Sequence, residues 1–195
     1  MTNKQRHVLT QANLAIFAGR AALPAYERNR LTPAIIHIGV GGFHRAHQAV
    51  YLDDLAGRGI TFDWGERGVG LLPGDRRMAE ALIPQDCLYT VVTRDALGDT
   101  ARVIGSMADY LFAPDDQARV LDLLADPATR IVSLTITEGG YNVDSLSGRF
   151  DADTPAIQAD THQRDAPNTV FGYLCAALDR RRRAGLPPFT VLSCD

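Results

Sequence analysis

The sequence predicts an α/β protein built on an open, doubly wound, mostly parallel sheet with helices on both faces. Three observations carry this expectation. Apolar runs such as 34–40 and 131–137 lack the in–out alternation of a half-wet strand, and continuous runs of this kind suit strands buried on both faces. These runs alternate with segments of helical spacing, the pattern of successive strand–helix–strand units. A glycine-rich turn, Gly39-Val40-Gly41-Gly42, stands at the first strand–helix junction.

Taken in order, residues 1–33 read as an amino-terminal arm, with at most a short helix over 14–20 and with Pro24 and Pro33 as punctuation. Residues 34–195 read as one domain. Its first strand spans 34–40. A helix over 44–56 follows, with Ala46, Ala49 and Val50 at helical spacing. A second strand is expected over 68–72, then a helix over 76–83 stopped by Pro84. Strands are expected over 88–93 and 102–107, and a helix over 114–124 with Pro114 in its first turn. Residues 131–137 form the clearest strand after the first. Residues 169–184 form an amphipathic helix closed by Gly185 and two prolines. A last strand covers 189–193. The chain stops at Cys194-Asp195, at the carboxyl end of a strand, where open α/β sheets bind their ligands. The expectation is that further sequence once followed.

Composition excludes several classes. Apolar residues make up 46% and charged residues 22% of the 195, the balance of a soluble globular domain. The net charge of -3 gives no general attraction to nucleic acid. No apolar run approaches the roughly 20 residues of a membrane span, and the polar start lacks a secretory core. Cys87, Cys175 and Cys194 are odd in number and far apart. They argue against a disulfide framework and for a reducing cytoplasm.

The glycine turn has the form of a diphosphate cradle. Gly39 follows Ile38 and permits a tight turn, and Gly41 lets backbone N–H groups approach a pyrophosphate. The helix entered through Gly42, Phe43, His44 and Arg45 offers unpaired N–H groups and a positive dipole end. His44 stands where the general fingerprint has a third glycine. The bland alternative is a turn that only redirects the chain, with Arg45 a solvated helix residue. An acid should follow the second strand to bind the adenosine ribose. Asp75 is the candidate, delayed by a loop over 57–68, and a carboxylate there predicts NAD over NADP. The rival reading makes Asp75 the cap of helix 76–83. Arg76 and Arg77 weaken the NAD preference, because arginine accepts a 2′-phosphate.

Other groups carry less. His37, His44 and His47 lack a supporting cysteine or carboxylate at metal-site spacing. They read instead as strand, phosphate-side and helix-packing residues, and no metal is expected. The run Arg180–Arg183 reads as a solvated cap complementing a helix carboxyl end. Ser133 and Ser193 lack a nucleophile elbow. Trp64 with Phe62 reads as loop packing.

The stretch from Ile36 to Gln48 (IHIGVGGFHRAHQ) resembles the cofactor loop of the mannitol dehydrogenase family of metal-independent polyol dehydrogenases. Asp63-Trp64-Gly65, 131–141 (IVSLTITEGGY), Thr169-Val170-Phe171-Gly172 and 189–195 (FTVLSCD) are similar to that family in the same order, and the resemblance runs from about Pro24 onward. It implies a Rossmann-like domain, NAD as cofactor and a sugar alcohol or ketose as substrate, with the mannitol branch nearer than the fructuronate and tagaturonate reductases. The family's helical substrate domain, with its catalytic lysine, is absent; the one lysine here, Lys4, cannot match it. The resemblance also makes Glu138 a candidate for passing protons or water near the substrate; otherwise it is a turn carboxylate beside Gly139-Gly140. Two other classes stay open: a non-catalytic dinucleotide-binding module, and a methyltransferase using the same sheet for S-adenosylmethionine.

Overall fold

The structure is a computed structural model that describes residues 7–136 and 138–194. Its five-stranded sheet is formed by β1 (Pro33–Ile38), β2 (Gly65–Gly70), β5 (Met107–Phe112), β6 (Ile131–Leu134) and β7 (Thr190–Ser193), with β3 (Tyr89–Asp95) and β4 (Gly98–Ile104) standing apart as a hairpin. The helices are α1 (Gly42–Ala46), α2 (Gln48–Gly57), α3 (Arg76–Leu82), α4 (Gln117–Ala125), α5 (Pro155–His162) and α6 (Val170–Arg183). The sheet order is β5-β2-β1-β6-β7, and every pairing is parallel. The chain therefore starts in the centre, steps outward through β2 and β5, then returns across β1 to β6. That reversal opens a crevice at the carboxyl ends of β1 and β6.

Two apolar layers sandwich the sheet. Ile36, Ile38, Val132 and Leu134 meet Leu121 and Leu124 of α4 and Tyr173 and Ala177 of α6 on one face. Val40, Met107, Tyr110 and Phe112 meet Ala49, Ala79, Leu82 and hairpin residues Tyr89 and Ile104 on the other. Helices on both faces agree with the doubly wound expectation.

Several expected boundaries move. The strand expected over 102–107 is two elements: β4 ends at Ile104, and β5 starts at Met107 as the third parallel strand. Alternating exposure hid β5, because Met107, Tyr110 and Phe112 are buried while Ala108 and Asp109 are exposed on this edge strand. The strand expected over 68–72 lies at Gly65–Gly70; Glu66 and Arg67 disguised its start, although Glu66 is fully buried. Pro84 does not stop α3 sharply but sits in a 3-10 turn over Ile83–Gln85. Pro114 precedes α4, whose cap is Asp116, accepting from Arg119 N–H at 3.0 Å. Helix α5 was not anticipated. Helix α6 matches its expectation: the Thr169 hydroxyl accepts from Gly172 N–H at 3.1 Å, and Gly185 follows at φ 68.

The run Arg180–Arg183 is not a uniformly solvated cap. Arg181 is 2% exposed and donates to the carbonyls of Pro187, Asp126 and Thr129, closing the α6–β7 connection. Arg182 and Arg183 pair with Asp179, and Arg180 with Asp122. Arg130 lies over the Trp64 ring, 3.7 Å from its centroid, so Trp64 is loop packing as expected. Among the described residues, no helix is long and apolar enough to cross a membrane.

Within residues 7–32, the segment before β1 packs on the hairpin. Leu9, Leu14 and Phe17 cover Leu88 and Val103, and Ala22 exchanges hydrogen bonds with Ala101 and Val103. Buried Asp53 of α2 ties these parts together, accepting from the Tyr26 hydroxyl at 2.6 Å, Arg102 at 2.6 Å and Gly105 N–H at 2.8 Å. Asp53→Ala strips three donors of one acceptor. The expected loss is about 2–4 kcal/mol of unfolding free energy, measured by urea denaturation.

Candidate functional site

The crevice at the strand reversal is a cleft of about 520 Å³. Its floor is Ile38, Gly39, Val40 and Gly41 at the end of β1. Leu71, Leu72 and Asp75 after β2 form one wall, Thr135, Ile136 and Gly140 after β6 another, and the segment from Asn142 to Val170 closes the side. The sequence reading therefore placed Ile38, Gly39, Val40, Gly41 and Asp75 in one cleft. It did not single out Thr135, Asn142 or Asn168: Thr135 is hidden inside the 131–137 strand run, and Asn142 and Asn168 reach the cleft only through the crossover after β6.

Gly39 adopts φ +95, and a Cβ there would stand 2.1 Å from the Thr135 carbonyl oxygen. The turn is thus pressed against the end of β6, and only glycine fits. The Thr135 hydroxyl donates to the Gly39 carbonyl at 2.6 Å, and Gly39 N–H donates to Val69 O at 3.1 Å. Gly42 is the reverse case. A Cβ there would meet nothing within 4 Å, so open space lies in front of it.

The side chains that follow the glycines take other places. His44 was expected near a phosphate, but its ring is 1% exposed, with Nε2 3.1 Å from Glu66 Oε2. It stacks on the His37 ring at 3.6 Å between centroids. Arg45 folds back, its Nε donating to the Gly41 carbonyl at 3.1 Å, and lines no part of the cleft. Phe43 is exposed and stacks on His47 at 4.3 Å. These two, with Gln48, Tyr51 and Cys194, line a second groove of about 310 Å³. Thr135 lines both grooves, so they adjoin there. The helical run breaks between α1 and α2 at His47, whose Nδ1 bonds to the Phe43 carbonyl at 2.8 Å.

Asp75 is half-buried, and its Oδ2 accepts from Leu72 N–H at 2.9 Å. Asp75 stands at the N-cap position of α3 but makes no side-chain cap bond to that helix; its carboxylate closes the 3-10 turn before it instead. Gly70 lets it close in, because a Cβ there would be 2.5 Å from Asp75 Cβ. Glu138 opens the turn Glu138–Tyr141 beside the cleft, but its side chain lies outside the described residues.

Beneath the turn lies a buried polar chain. The one proton of the Thr135 hydroxyl is used on Gly39, so Thr135 Oγ1 accepts from His37 Nε2 at 2.9 Å. His37 Nδ1 then accepts from the Ser133 hydroxyl at 2.8 Å, and Ser133 accepts from Gln48 Nε2 at 3.0 Å. Burial, aided by the neighbouring His44 ring, pushes His37 down to about 2, consistent with its single ring proton.

With this geometry established, comparison with known proteins identifies the family. The mannitol dehydrogenase Rossmann domain matches residues 33–195. The chain belongs to the mannitol dehydrogenase family. Among relatives, it is 54% identical over 172 residues to a mannitol 2-dehydrogenase of Cereibacter sphaeroides, covering 88% of this chain and 36% of that protein. It is 50% identical over 194 residues to one of Aspergillus clavatus, covering 96% and 39%. Among solved structures, it superimposes with a TM-score of 0.92 at 49% identity on a Pseudomonas fluorescens mannitol 2-dehydrogenase in ternary complex with NAD and D-mannitol, covering 97% and 39%. A D-sorbitol dehydrogenase in substrate-free form matches at TM-score 0.90 and 42% identity, with the same coverage. The chain thus spans well under half the length of these mannitol dehydrogenase relatives.

His37 gives this family member a pH signature. The unfolded chain binds a proton at His37 near 6.5, while the folded chain resists until about 2. Stability from this group is complete above 6.5 and falls as the pH drops. The slope is about 1.4 kcal/mol per unit. Urea unfolding at stepped pH should show that slope, and His37→Gln should flatten it. An equal slope in both proteins would refute the assignment.

Proposed function

We propose that this chain binds NAD and forms the cofactor-binding part of an oxidoreductase that interconverts a sugar alcohol and a ketose of the mannitol–fructose type. The observation that carries this reading is the Gly39 turn at the strand reversal, facing a cleft walled by the Asp75 carboxylate. The turn suits a pyrophosphate, because space lies open before Gly42 while Gly39 is locked from behind. Backbone N–H groups over 39–42 would hold the phosphates. Asp75 Oδ1 has no partner among the described residues and is available to ribose hydroxyls. Leu71, Leu72 and Ile136 supply apolar walls for a base.

NAD, when bound, supplies the hydride acceptor for alcohol oxidation. The chain's own task is to orient it. Thr135 holds the meeting point of the two grooves, and Phe43 and Tyr51 give the second groove an apolar surface near it. Glu138, by its position in the turn after β6, is proposed to pass protons or water at that end. Residues 1–33 are proposed as an amino-terminal arm, of which Leu9, Leu14, Phe17 and Ala22 brace the hairpin, and 34–195 as the NAD-binding domain. Three cysteines, odd in number and far apart in the sequence, suit a cytoplasmic location; burial pushes the Cys87 thiol up to about 12, which keeps it unreactive.

Calorimetric titration of the chain with NAD and, separately, with S-adenosylmethionine tests the reading. NAD should bind, and binding of the methyl donor alone would defeat the proposal. In the same assay Asp75→Ala should weaken NAD about tenfold, the cost of lost hydrogen bonds to a charged group, and weaken NADP less. Equal losses for both would remove Asp75 from the ribose site.

A further inference from the structure

The segment Asp75-Arg76-Arg77 carries conflicting signals for the adenosine 2′ position. A carboxylate there repels a 2′-phosphate, whereas two arginines invite one. The structure separates them. The Arg76 guanidinium forks onto Asp115, with Nη2 2.6 Å from Oδ1 and Nη1 3.2 Å from Oδ2. The Arg76 guanidinium carbon also lies 4.6 Å from the centroid of the Phe112 ring. Phe112 is the last residue of β5, and Asp115 stands in the turn after it. That turn is fixed by Asp115 N–H donating to Phe112 O at 3.0 Å and Ala113 N–H donating to Gly70 O at 2.9 Å. Since β5 pairs with β2, this turn lies at the sheet edge beside the β2 end that leads to Asp75. Asp75 lines the cleft, and neither Arg76 nor Asp115 does.

A lone exposed ion pair is worth little. A two-pronged pair whose cation also lies against an aromatic ring is different in kind, because it fixes direction. We propose that Asp115 is a specificity-determining positioning residue: it holds Arg76 off the adenosine 2′ position, so that the corner beside the ribose presents a carboxylate and disfavours a 2′-phosphate. This rests on the NAD-binding reading above. The corner holds two acids, Asp75 and Asp115, and two bases, Arg76 and Arg77. Removing Asp115 makes it net positive and frees Arg76 to turn toward a 2′-phosphate. Arg77 lies one residue on, about 100° around the helix, and is unchanged in every comparison that alters only Asp115 or Arg76.

The test is the ratio of NADP to NAD dissociation constants in the full chain, by calorimetry. Asp115→Ala should lower that ratio about tenfold, with NAD affinity moving less than about twofold. Asp115→Glu should keep the parent preference. Arg76→Ala combined with Asp115→Ala should abolish the gain. A general loss of stability affects both cofactors and cancels in the ratio, which a merely structural role for Asp115 would leave unmoved. An unchanged ratio in Asp115→Ala with NAD still bound overturns the positioning role alone. A gain that survives in the double variant overturns it as well. Failure of the parent chain to bind NAD overturns the function and this inference with it.

Discussion

The contact between the Thr135 hydroxyl and the Gly39 carbonyl joins the glycine turn to the strand on the far side of the crevice. Gly39 can sit there only because it lacks a Cβ and accepts a positive φ. Once Thr135 donates to Gly39, the direction of the next three hydrogen bonds is settled. His37 must donate from Nε2, Ser133 must donate to His37, and Gln48 must donate to Ser133. The Gln48 carbonyl then remains to accept from the Cys194 thiol, 3.7 Å away. One line of polar contacts thereby runs from the turn after β1, through α2, to the end of β7. The floor of the cleft and the carboxyl ends of β1, β6 and β7 are held in one register.

The two faces of the sheet do different jobs. Toward α4 and α6 the central strands present Ile36, Ile38, Val132 and Leu134, and the contact is apolar throughout. Toward α1 and α2, strands β1, β2 and β6 present His37, Glu66 and Ser133, all fully buried. A buried polar group left unpaired costs about 1–3 kcal/mol, so such a layer stabilises only where its members meet. Most do. His44 Nδ1 and Glu66 Oε1 are the buried side-chain atoms without a partner among the described residues. An apolar layer could hold α1 against the sheet equally well, but it would accept several registers. Directed hydrogen bonds accept one, so α1 is held in a single position beside the glycine turn.

Much of the fold was legible because it is written in neighbouring residues. The apolar run of β1, the glycine turn, the Thr169 cap with the Gly185 stop of α6, and the final strand depend on local periodicity and backbone sterics. The two misplaced strands, β2 and β5, share one cause. Polar residues interrupt them for reasons that lie outside the segment. Glu66 looked unlike a strand residue because its partner His44 is elsewhere, and Asp109 did so because β5 is a sheet edge. In the site, the glycines and Asp75 were readable from spacing. Thr135, Asn142 and Asn168 were not: Thr135 reads as part of a strand run, and no spacing rule singles out the two asparagines.

The sequence by itself determined a strand–glycine turn–helix unit, an acid after the second strand and a family likeness, since each is carried by contiguous residues whose conformational limits are local. The tertiary structure decided which charges are spent and which are free. His44 is turned onto Glu66, 22 residues away, and Arg76 onto Asp115, 39 residues away, while Asp75, which lines the cleft, keeps one oxygen without a hydrogen-bond partner among the described residues. Those pairings follow from strand order. Strand order is set by how helices bury their apolar faces on both sides of the sheet, a property of the whole chain that no short stretch encodes.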